Sequence, residues 1–120
     1  MYHGWYVRIF ILTGEKMLNN IVRKSVKAEV ESTFLHQLHE ENIFDEKLFR
    51  EYIKVVGLIN LENTDKELII TVIERNDYII CSVIHHFLPE DLFVMKNFPS
   101  NMGEYIEKLR DENMRLLRML

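Results

Sequence analysis

The chain predicts an α+β fold: an antiparallel sheet of four or five strands built on hairpins 5–28 and 68–84, with two or three short helices and a long C-terminal helix packed on it. Three observations carry this prediction. Leu68 to Ile84 places two β-branched runs on either side of Glu74-Arg75-Asn76-Asp77, and Asn and Asp tolerate the positive φ of a tight turn. Trp5 to Leu12 alternates as a half-buried strand does, and Ser100 to Leu120 repeats its apolar residues at helical spacing.

In chain order, Trp5, Val7, Ile9 and Ile11 fall on one face of the first strand, with Tyr6, Arg8, Phe10 and Leu12 on the other. Thr13 to Asn20 holds Gly14 and Asn19-Asn20, which form turns. A second strand over 21–28 puts Val22, Val26 and Ala28 on one face, opposite Arg23, Ser25 and Lys27. Glu29 to Glu41 reads as a short helix with Val30, Phe34, Leu35 and Leu38 inward and Ser32 and Thr33 near its start.

Asp45 is the expected N-cap of the next helix, with Phe44 and Phe49 as a hydrophobic staple. Leu48, Phe49, Tyr52, Ile53 and Val56 follow helical spacing, and Gly57 is placed to end the helix in the left-handed conformation. The β-branched content of Ile53 to Leu61 equally allows a strand over 58–61, so both endings stay open. After the turn at Asn63 to Lys66, the hairpin 68–84 pairs Ile73 with Ile80, Thr71 with Ser82 and Ile69 with Ile84 on one face. Its other face pairs Val72 with Cys81 and Ile70 with Val83. Pro89-Glu90-Asp91 suits the first turn of a short helix carrying Leu92, Phe93 and Met95, which Phe98-Pro99 ends.

Ser100 is the expected cap of the final helix. There Met102, Ile106, Leu109, Asn113, Leu116 and Leu120 form a heptad seam with one asparagine, the pattern of a helix that pairs with a second copy. Tyr105, Leu117 and Met119 widen the stripe, as a helix packed on its own domain also requires.

The 120 residues predict one domain, and an apolar share of 48% with 28% charged residues suits a globular core. The net charge of −4 is polarised: five basic residues against Glu15 give residues 1–28 a balance of +4, leaving −8 for the rest. A lone cysteine, Cys81, excludes an intramolecular disulfide and a thiolate cluster, and fits a reducing compartment. No signal peptide and no apolar run of about 20 residues is read, so the expected location is cytoplasmic, with no membrane partner.

The candidates for chemistry are few. His36 and His39, with Glu40 and Glu41 beside them, have the spacing of two metal ligands but lack a third and fourth. His85 and His86 close the hairpin, and Cys81 with His85 is the only nucleophile and base pair in reach, in a strand that predicts a buried, inert thiol. No glycine-rich phosphate loop and no paired cysteine spacing occurs, so no cofactor and no metal is expected. Tyr6, Arg8 and Phe10, with Arg23 and Lys27 on the neighbouring strand, would make a basic, aromatic sheet face.

The expected function is accordingly a non-enzymatic protein-binding module, a small cytosolic regulator or inhibitor of the bacterial or phage kind. It would dock on another protein through Tyr6, Arg8, Phe10, Arg23 and Lys27, with the terminal seam as a dimerisation element. Two alternatives stand beside it: a single-stranded nucleic-acid binder through the same hairpin, and a small metal-dependent or acid/base enzyme using the histidines.

Overall fold

The computed structural model describes residues 18–27, 32–88 and 94–120, and what it describes is helical. Among the described residues five helical stretches follow one another: α1 over 18–25, α2 Phe34–Glu41, α3 Glu46–Gly57, α4 Lys66–His86 and α5 Met102–Leu117. No strand occurs among the described residues. The single β-type contact is an isolated parallel bridge between Ile43 and Lys96. The predicted antiparallel sheet is therefore overturned, and the fold class is all-α over the described residues.

The largest correction concerns 68–84, which is not a hairpin but most of the 21-residue helix α4. Asp65 starts it: the carboxylate accepts the Leu68 backbone N–H at 2.8 Å, satisfying one of the donors a helix start leaves open. Leu68, Ile69, Val72, Asn76, Ile79, Ser82 and Val83 are buried, a stripe at helical spacing. The period is hard to see in the sequence because Ile70 and Ile84, exposed at 44% and 54%, make α4 apolar on its outer side too. Glu74-Arg75-Asn76-Asp77, read as a turn, lies in mid-helix.

The predicted second strand fails for a related reason. Residues 18–25 are helical, and Val22 and Val26 are buried on one face, with the Val26 N–H bonded to the Val22 carbonyl at 3.1 Å. A separation of four is one helical turn and also two strand repeats, so the pair fits either period. The predicted strand 5–12 lies outside the described residues; of the short helix expected to start at Pro89, carry Met95 and end at Phe98-Pro99, residues 89–93 also lie outside them, and 94–98 are not helical.

The middle of the chain follows its sequence signals. Helix α2 starts after Thr33, whose Oγ1 accepts the His36 N–H at 3.2 Å, and ends at Asn42 in the left-handed region at φ 55°. Asp45 caps α3 through the Leu48 N–H at 3.0 Å, and the Phe44 and Phe49 rings meet with centroids 5.2 Å apart, as a staple requires. Gly57 does not take the left-handed conformation, and Leu58 closes α3 in the right-handed region. No strand follows at 58–61. The last helix starts at Met102 after Asn101, one residue beyond the predicted cap Ser100.

The core gathers Phe34, Leu38, Phe44, Phe49, Val56, Ile69, Val72, Ile79, Leu109 and Leu116. Helix α5 runs beside α3 in the same direction. Near its start the Tyr105 hydroxyl donates to Glu46 at 2.7 Å, and near its end Arg115 donates to the carbonyls of Ile59 at 2.7 Å and Val56 at 2.8 Å. Arg115 thus supplies the α3 terminus with the partners that a left-handed glycine would have provided.

One polar chain threads this core. The Tyr52 hydroxyl donates to Asn76 Oδ1, Asn76 Nδ2 donates to Asn113 Oδ1 at 2.7 Å, and Asn113 Nδ2 reaches the Ile73 carbonyl at 3.4 Å. It joins α3, α4 and α5. The connector 94–98 is tied down separately: Lys96 bonds through its backbone to Asn42 and Phe44, and the Met95 N–H donates to His86 Nδ1 at 3.0 Å.

Candidate functional site

A cleft of about 260 Å3 opens where α1, α2 and α3 meet. Helix α1 contributes Ile21, Lys24 and Ser25. The turn into α2 contributes Ser32, Thr33 and Phe34, and α3 contributes Leu48, Glu51, Tyr52 and Val55. Phe34 and Tyr52 form a floor that is buried beneath, Leu48 and Val55 are half-buried, and Ile21 makes an exposed apolar lip.

Each wall follows from helix geometry. On α3, positions 48, 51, 52 and 55 share one face at spacings of three and four, and on α1 positions 21, 24 and 25 do the same. Thr33 sits at the corner because it caps α2, and Phe34 begins that helix with its ring edge-on to Phe44 at 5.0 Å.

Lys24 and Glu51 are both exposed, and among the described residues neither forms an ion pair. Lys27 is exposed just beyond α1, and Lys47 and Lys54 flank Glu51 on the outer side of α3, four residues before it and three after. Among the described residues the lining itself carries one cation, Lys24, and one carboxylate, Glu51. Helix α2, which starts at the cleft, has no acidic residue in its first turn, and the Thr33 hydroxyl oxygen caps its start.

Tyr52 lies buried at the floor of the cleft. Burial pushes its phenol above the usual tyrosine range, and the nearby Arg75 cation opposes that shift. With its hydroxyl donated to Asn76, it is a neutral structural donor and not a nucleophile or base.

The residues expected from sequence to bind a partner are placed as follows. Tyr6, Arg8 and Phe10 lie outside the described residues. Arg23 and Lys27 belong to helix α1 and its end, not to a sheet face. Arg23 Nη2 lies 2.8 Å from Asp65 Oδ2, tying α1 to the start of α4, with both side chains about half exposed. Of the predicted seam, Met102, Leu109 and Leu116 are buried in the chain's own core, Ile106 packs partly against it, Asn113 joins the polar chain and Leu120 is exposed.

The histidines are scattered. His39 Nδ1 lies 2.9 Å from the Tyr78 hydroxyl, and the His86 ring stacks on Phe98 with centroids 4.2 Å apart. Among the described residues no group of three or more His, Cys, Asp or Glu side chains could hold a metal ion. Cys81, expected to be buried in an apolar strand, is instead exposed on α4, with Sγ 3.9 Å from Asp77 Oδ2. Among the described residues no helix is long and apolar enough to cross a membrane.

Sequence reasoning missed Ile21, Lys24, Ser32, Leu48, Glu51 and Val55 as one site. The signal available was weak: two helical faces whose exposed edges carry an apolar residue beside an unpaired charge. Comparison with protein-family models, with curated proteins and with solved structures finds no match to this chain.

Proposed function

We propose that this chain is a non-enzymatic protein-docking module, a small regulator or inhibitor acting in the cytosol. The observation that carries the reading is the cleft, whose apolar residues Phe34, Leu48, Tyr52 and Val55 lie between helices that bring one lysine, Lys24, and one glutamate, Glu51, to its lining. Its volume of about 260 Å3 lies below the roughly 300–1,000 Å3 of pockets that enclose small-molecule substrates, and it suits a side chain presented from another surface. The exposed lone cysteine on α4 supports a reducing setting.

The test is capture of partners on the immobilised full chain, with chemical cross-linking through Lys24 and Lys27 and with nuclease treatment in parallel. A protein cross-linked at these lysines and retained after nuclease is the expected result. Recovery of nucleic acid alone, or of no stoichiometric protein, would overturn the reading.

A further inference from the structure

We propose that His86 is a pH-operated latch: its neutral ring ties the end of α4 to the connector 94–98, and protonation of the ring opens that tie.

The tautomer follows from one bond. Met95 donates its backbone N–H to His86 Nδ1 at 3.0 Å, so Nδ1 carries a lone pair and the ring proton sits on Nε2. An imidazolium carries hydrogens on both nitrogens, which sets two donors against each other at that distance. Met95 is only 2% exposed, so water has little room to replace the lost acceptor while the connector stays in place. Turning the ring over brings a carbon to the same position and restores nothing.

The bond joins two parts of the fold. Met95 is held by α4 through His86, and the next residue, Lys96, is held by the turn between α2 and α3. The Lys96 N–H donates to the Asn42 carbonyl at 2.6 Å, and its carbonyl accepts the Phe44 N–H at 2.9 Å. Successive residues of one connector thus clamp the end of α4 to that turn, and the α4 side of the clamp depends on a titratable ring. The ring itself stays seated. It stacks on Phe98 with centroids 4.2 Å apart and meets Phe87 edge-on at 5.2 Å, and an imidazolium over an aromatic face is attracted to it. Acid therefore removes the Met95 bond and leaves the stack.

Phe87, Met95 and Phe98, which touch the ring, carry no charge. The titratable or charged groups beside them are His85 on α4 and Lys96 on the connector, and Asp45 beyond the α2–α3 turn is engaged in capping α3. Among the described residues no ion pair reaches His86. Glu90 and Asp91 stand between α4 and Met95 in the sequence, outside the described residues. A histidine changes its charge between about pH 5 and 8, and that is the range over which the latch works.

The test is NMR of the full 15N-labelled chain from about pH 8 to about pH 5. Long-range nitrogen–proton spectra should show His86 protonated on Nε2 and not on Nδ1 at the upper end. As pH falls, the Met95 amide resonance should move with the same midpoint as the His86 ring. Its hydrogen exchange, corrected for the intrinsic effect of pH, should quicken about five- to a hundredfold while Lys96 and Phe44 stay protected. His86→Asn, which keeps an acceptor near the Nδ1 position and does not titrate, should hold Met95 across the range. His85→Gln should leave the response in place.

A proton on Nδ1 at the upper end, a Met95 amide indifferent to the His86 titration, or the same response in His86→Asn would overturn the latch. So would loss of the response in His85→Gln, or a midpoint that follows carboxylates and not the ring. Simultaneous loss of protection at Lys96, Phe44 and the core would overturn it too, because that marks unfolding at large. The tautomer and the midpoint are read on the parent chain and do not depend on how the variants fold.

Discussion

The Tyr52 hydroxyl donates a 2.5 Å hydrogen bond to Asn76 Oδ1 in the interior, and Asn76 is fully buried. With Asn113 this pair holds three helices to one another through polar groups that cannot turn to water. Tyr52→Phe should therefore cost about 1–3 kcal/mol, because it orphans a buried acceptor, and Asn113→Val should cost a similar amount by orphaning Asn76 Nδ2. Urea denaturation of both single variants and the double variant should show a coupling of about 0.5–3 kcal/mol. Strict additivity would contradict a connected chain of hydrogen bonds.

The same phenol sets a pH limit. Burial favours the neutral, protonated form, so the folded chain holds this proton more tightly than the unfolded chain, whose tyrosines ionise near pH 10. The stability this provides is fully present below pH 10 and is lost as pH rises above it towards the raised folded value. A spectrophotometric titration should show one tyrosine that ionises only as the helices melt, and Tyr52→Phe should remove that late step. Ionisation of Tyr52 near pH 10 with the circular dichroism unchanged would refute this.

Arg115 closes α3 from a distance, donating to the carbonyls of Ile59 and Val56 while Glu112 Oε2 accepts from its Nε at 2.8 Å. Arg115→Met keeps much of the stem's packing and removes the donors. The expected loss is about 1.5–3 kcal/mol, as for hydrogen bonds to a charged group. Hydrogen exchange should accelerate at the end of α3 more than at its start.

Asp65 has two roles that substitution separates. Asp65→Ala removes the cap of α4 and should cost about 1 kcal/mol. Asp65→Asn keeps a capping oxygen and loses only the half-exposed ion pair with Arg23, so it should cost at most a few tenths of a kcal/mol. Equal losses in thermal denaturation would mean the ion pair matters and the cap does not.

Proline at Glu74 distinguishes a helix from a turn. Glu74 is exposed in mid-α4, so Glu74→Pro removes no core contact, yet it should cost about 3 kcal/mol or more by breaking a backbone hydrogen bond and clashing with the preceding turn. A variant as stable as the parent would be incompatible with a continuous α4.

Some of this architecture was legible in the residues. Asp45, Phe44 and Phe49 announce α3 because a cap and a staple are local signals, readable over six residues. Helix α5 was legible from Met102 to Leu116 because its polar outer face exposes the period. Helix α4 was not: with Ile70 and Ile84 facing solvent and seven residues facing the core, its apolar pattern satisfies strand alternation as well as a helical stripe. Asn76 misled in a second way, since asparagine favours turns unless a distant partner such as Tyr52 or Asn113 satisfies its amide. The cleft was beyond reach for a different reason. It forms from three helices whose relative placement depends on α4, and a misread α4 leaves Ile21 and Val55 with nothing to bring them together.

The cap on α3 also imposes an order of events during synthesis. Arg115 lies 56 residues after Ile59, whose carbonyl it holds. At a translation rate of about 5–20 residues per second, the ribosome needs roughly 3–11 s to deliver that guanidinium after Ile59 is made. Over that interval the end of α3 has only its local backbone bonds, from the Leu58 N–H to the Val55 carbonyl and from the Ile59 N–H to the Val56 carbonyl, and the Ile59 carbonyl waits for a donor that the chain's own later segment brings.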